Sequence, residues 1–138
     1  MTARELLQYQ LDDSQYQLEK CFEGLPSELF NAKVTEQAMT PAEVIEHLCE
    51  AYTALIAESE GKKHEWGSYK IEDRSPENLL KTWSQTRERA TATIADEEPA
   101  YKHAHAFIVA HDYYHVGQLC ELRVAKDPGF DPYAIYRM

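Results

Sequence analysis

Apolar residues recur at helical spacing from the start of the chain: Leu7, Leu11, Leu18, Phe22 and Leu25 line one face, with Gln, Asp, Glu and Lys on the other. "TARE" at Thr2 to Glu5 precedes them. A Thr followed three residues later by Glu lets each side chain satisfy the other's free backbone N–H at a helix start. Gly24 and Pro26 end the pattern. A second stripe of Val44, Leu48, Tyr52 and Leu55 follows "TPAE" at Thr40 to Glu43, with Pro41 at the first helical position, where its missing N–H does no harm. "SPEN" at Ser75 to Asn78 starts a third helix in the same way, carrying Leu79, Leu80, Trp83 and Ala90. A fourth pattern begins near Tyr101 and runs to about Lys126, where "DPGFDP" breaks it. No segment shows a convincing strand period. Four amphipathic helices bury their stripes most simply against one another, so the chain is predicted to be all-α, a four-helix bundle forming one domain over residues 1–138. The connection between the second and third helices, "ESEGKKHEWGSYKIEDR" from Glu58 to Arg74, is long for a bundle.

The fourth helix is apolar on two sides. Advancing about 100° per residue from His111 places Phe107, Ile108, His115, Gln118, Leu119 and Leu122 within about 80° of it. Opposite them runs a second stripe of Val109, Tyr113, Val116, Cys120 and Val124, with Gly117 permitting close backbone approach. A four-helix bundle covers the inner face, so the second stripe predicts a homodimer; the alternative cover is the tail "FDPYAIYRM" folded back over it.

His111 and His115 therefore sit in the middle of an apolar stripe. Imidazoles facing a core need partners, because an unpaired buried polar group costs on the order of 1–3 kcal/mol. Hydrogen bonds to neighbouring helices would satisfy them, and so would a metal ion. His47, about two turns into the second helix beside Val44 and Ala51, adds a third imidazole. One histidine from one helix and an i, i+4 pair from another is a standard way to build a metal site inside a bundle. Neutral imidazoles suit zinc, nickel or ferrous iron, and three protein ligands leave a position open, as catalytic sites do. Gln118, one turn past His115, is placed to orient a ligand or substrate, and Asp112, about 100° from His111, is expected at the rim in a supporting role. Glu43 is explained by its capping box. His64, His103 and His105 read as surface residues, with His103 the substitute ligand should His47 fail. Trp66, Tyr69 and Trp83 are candidates for the wall of a pocket. Cys49 and Cys120 point away from the histidine faces.

Charge narrows the field further. With 14 Lys and Arg against 24 Asp and Glu, the net charge is −10 and the basic residues are scattered. Phosphate contacts need a basic surface, so nucleic acid and anionic membranes are excluded as expected partners. No apolar run approaches the roughly 18 residues of a membrane span, and the first residues lack a secretory signal pattern, so the expected location is cytoplasmic. The three cysteines, Cys21, Cys49 and Cys120, have no CxxC spacing and read as free thiols.

"TPAEVIEHL" and "HDYYHVGQLCELR" together resemble the DinB-like superfamily of bacterial four-helix proteins, in helix order and in the long connection after the second helix. The resemblance implies a divalent metal held by His47, His111 and His115, and a homodimer. It also implies thiol-dependent S-transferase or isomerase chemistry on a small molecule, with bacillithiol, mycothiol or glutathione as cofactor; a related hydrolase is the near variant. The competing expectation is a non-catalytic metal-binding module of a stress response. Solvent access separates the two, since a closed coordination sphere supports only structure.

Overall fold

A computed structural model describes residues 1–137. Helix α1 spans Ala3–Phe22, α2 Pro41–Ser59 and α3 Pro76–Ala92. The fourth helix is continuous but composite: α4 is Glu98–Ala104, a π-helical turn covers His105–Val109, and α5 is Ala110–Lys126. No strand occurs among the described residues, so the fold is the all-α four-helix bundle that the stripes predict. None of these helices is long and apolar enough to cross a membrane.

The starts follow local chemistry. Both Thr capping boxes form, with Thr2 N donating to Glu5 Oε2 at 2.8 Å and Thr40 N to Glu43 Oε1 at 3.0 Å. The third start differs from its prediction. Ser75 Oγ accepts from Asn78 N, but Asp73 rather than residue 78 receives the Ser75 N–H, at 3.1 Å. Asparagine is a methylene shorter than glutamate, and here its amide donates to the Asp73 carbonyl instead. The fourth helix begins at Glu98, three residues before the expected Tyr101, because Pro99 tolerates the first turn.

Helix α2 packs along α3 and α1 along α5, and the π-turn meets both α1 and α2. Leu18, Leu48, Tyr52, Leu79, Ile108 and Leu119 fill the centre. Within this core lies a polar knot drawn from all four helices. Asp112 accepts from Arg87 Nε (3.1 Å) and Nη2 (2.9 Å), from Tyr52 Oη (2.5 Å) and from Ser14 Oγ (2.9 Å). Arg87 also donates to the Leu11 carbonyl and to Gln15, and Trp83 Nε1 to Tyr52 Oη. Asp112 is therefore not at the rim of the histidine site. It is fully buried about 100° round its helix from His111, and its hydrogen bonds go to Ser14, Tyr52 and Arg87 rather than to an imidazole.

The second apolar stripe of the fourth helix is covered inside the chain. Val109 and Val116 are buried, Tyr113 Oη donates to Asp13 of α1, and Cys120 meets Cys21 of α1. Only Val124 stays exposed. The four helices do not leave this face bare, because α1 packs on it; Tyr113 and Cys120 stay partly exposed beside it. The tail packs on α1 rather than over the stripe: its short 3₁₀ helix, Pro132–Ile135, buries Ile135 there.

Two acids one turn apart on α2 fasten the long connection. Glu46 accepts from Ile71 N (2.9 Å) and Arg74 Nη1 (2.8 Å), while Glu50 accepts from Gly67 N (2.9 Å) and Tyr69 N (3.2 Å) and pairs with His64 Nε2 at 3.1 Å. His64 is thus a half-buried structural partner rather than a surface residue. Gly67, at φ +90°, supplies the left-handed turn that aims its N–H at Glu50. The aromatics expected to share one wall are dispersed. Trp83 is core, Tyr69 reaches toward α3, and Trp66 alone stacks on Phe107 of the fourth helix, centroids 6.2 Å apart.

Candidate metal centre

His47 enters from α2, and His111 and His115 from the first turns of α5. Their ring centroids lie 4.7, 5.4 and 4.6 Å apart for the pairs 47–111, 47–115 and 111–115. One nitrogen from each ring falls within 4.8 Å of the others. The sequence reading of the three histidines is thus met in space. His103, 47% exposed and paired with Glu58, is not among them, nor is exposed His105.

The outward nitrogens are set by partners on the far side of each ring. Gln118 Nε2 donates to Tyr114 Oη at 3.4 Å, which leaves Oε1 to accept from His115 Nδ1 at 2.7 Å. His115 then carries its proton on Nδ1 and a lone pair on Nε2. His111 is bonded to the backbone of Phe107 in the π-turn. Its Nε2 faces His115 Nε2 at 3.0 Å. Gln118 therefore orients the His115 ring. Both rings are held neutral: burial, then His47, lowers His111 to about 4, and burial, then His111, lowers His115 to about 3.

Two lone pairs converging in a half-buried site are repulsive unless a proton or a cation lies between them. Two imidazole nitrogens on one tetrahedral ion, each at about 2.0–2.1 Å, stand roughly 3.3 Å apart. The observed 3.0 Å is close to that spacing, so the donor set fits a divalent transition metal.

The π-turn is the feature that sequence reasoning missed. Ala110 N donates to the His105 carbonyl, five residues back, and the site begins one residue later. Wide turns inside helices often mark functional sites, but nothing in "HAFIV" distinguishes it from ordinary helix. Glu50 was missed too. Its only signal was an acid beside the apolar stripe of α2, one turn after Glu46.

The neutral rings carry a pH signature. An unfolded histidine near its ordinary 6.5 binds protons that these buried rings refuse, so acid favours the unfolded chain. Metal-free protein is expected to lose stability as pH falls from about 6.5 toward 4, by at most about 1.4 kcal/mol per pH unit for each ring. His111→Gln with His115→Gln should flatten that part of the melting-temperature profile. Parallel profiles for variant and wild type would remove the assignment.

A helical bundle with three convergent imidazoles between its second and fourth helices defines the class. The chain belongs to the DinB superfamily, whose family model matches residues 10–119, from within α1 to the turn after His115. No curated protein and no solved structure gives a match.

Proposed function

We propose that His47, His111 and His115 hold one divalent metal, zinc or nickel before iron, and that the protein acts there on a small molecule. The observation that carries this reading is the convergence of three nitrogens on one point, with the His115 ring aimed by Gln118. A bound ion would supply Lewis acidity, lowering the pKa of a water or thiol at the site. A thiol S-transferase, or a related hydrolase or isomerase, is the reaction class. Among the described residues no further His, Cys, Asp or Glu joins the three, which favours an open site over a closed structural one. A cleft of about 380 Å³ lies where the connection meets the fourth helix, lined by Ala54, Lys62, Lys63, His64, Trp66 and Phe107. Phe107 belongs to both, its ring in the cleft and its backbone bonded to His111.

Elemental analysis of protein purified without a histidine tag tests the metal. One ion per chain is expected, with near-complete loss in His111→Ala/His115→Ala and an affinity about 10–100-fold weaker in Gln118→Leu. Full metal content in the double variant would overturn the site. Screening bacillithiol, mycothiol, glutathione and coenzyme A against monochlorobimane tests the chemistry. Conjugation should vanish with a chelator and return with metal; turnover by demonstrably metal-free protein would refute the thiol mechanism.

A further inference from the structure

Cys21 ends α1 with its side chain fully buried, and Cys120 lies half-buried on α5. Their sulfurs are 3.7 Å apart, although the residues are 99 positions apart in sequence. Cys49, on α2, has neither as a partner, and burial pushes its thiol up to about 12. We propose that Cys120 and Cys21 form a peroxide-oxidisable pair, Cys120 the attacking thiol and Cys21 the resolving one.

Access assigns the roles. A small hydroperoxide reaches half-exposed Cys120 and not Cys21. The Cys21 Sγ sits between Cys120 Sγ, 3.7 Å away, and the Val116 carbonyl, 3.9 Å away. Contact with Cys21 and the nearby Arg123 charge hold the Cys120 thiol below its usual range, while the same contact and burial push Cys21 up. The thiolate is the nucleophile in such oxidations, so the more accessible Cys120 is the one that attacks. Arg123 also fixes the frame. Its guanidinium donates to the Cys21 carbonyl at 3.0 Å and the Glu23 carbonyl at 2.7 Å, latching the end of α1 to α5 beside the two sulfurs.

The chemistry balances with a hydroperoxide as the oxidant. The Cys120 thiolate attacks the terminal oxygen, the O–O bond breaks, and the leaving hydroxide or alkoxide takes a proton to depart as water or alcohol. Cys120 is then a sulfenic acid. Cys21 attacks that sulfur, the S–O bond breaks, and the Cys21 proton leaves with the hydroxyl as water. The two thiols lose two electrons and the peroxide gains them. Forming the bond closes the gap from 3.7 Å to about 2.05 Å. The product staples α1 to α5 five residues beyond His115.

Native protein treated with modest hydrogen peroxide, then denatured and alkylated, gives the test. Two of the three thiols should resist alkylation, the unalkylated mass should fall by about 2 Da for the two hydrogens lost, and peptide mapping should link Cys21 to Cys120. Cys21→Ser should stop at a Cys120 sulfenic acid trapped by dimedone. Cys120→Ser should leave Cys21 and Cys49 alkylatable. Three free thiols in the treated wild type would overturn the proposal, as would Cys120 sulfinic acid beside free Cys21. These wild-type outcomes do not depend on either variant folding.

Discussion

Arg87→Met is expected to destabilise the bundle by about 3–5 kcal/mol, because it strands a carboxylate that has no access to water. Arg87 and Asp112 side chains are 4% and 0% exposed, and the guanidinium supplies two of the four hydrogen bonds that Asp112 receives. Tyr52 and Ser14 would remain, but neither carries charge. For a chain of this length the loss corresponds to roughly 10–20 °C in melting temperature. Adding Asp112→Leu should recover part of it, since removing both charges leaves no orphan. Calorimetry on the two variants decides the matter; a fall of less than about 3 °C for Arg87→Met would show that the knot is not what holds the helices together.

Val116→Glu is the second large effect. Val116 is 4% exposed, and its neighbourhood on α1 holds the Cys21 thiol, with no cation in that contact. An unpaired carboxylate there should cost several kcal/mol and lower the melting temperature sharply. Light scattering should return the same mass for whatever variant folds, because this face closes within one chain. A halved mass with unchanged stability would place a subunit interface at Val116 instead.

Three helices were legible because their starts carry a capping signal and their stripes keep one period; the fourth starts without a side-chain cap, and the π-turn interrupts its period. The three histidines were legible because they interrupt apolar stripes, where an unpartnered polar ring is costly. What escaped the sequence depends on which helix neighbours which. The second stripe of α5 reads the same whether α1, the tail or another molecule covers it. Asp112 follows a ligand candidate in sequence, yet 100° of helical rotation sends it to Arg87 and Tyr52. His64 looked superficial because its partner, Glu50, lies 14 residues earlier on another element.

The π-turn at His105–Val109 gives the fourth helix a fixed phase. Such a turn amounts to one surplus residue wound into an otherwise regular spiral. Tightening that turn to the ordinary pitch with all its residues kept would carry everything after it through about 100° and 1.5 Å relative to the segment before. Both histidines would turn away from His47 together, and Asp112 away from Arg87. The long connection can gain or lose a residue at its surface with only local consequences, whereas within these five residues the wide pitch itself is a determinant of the site.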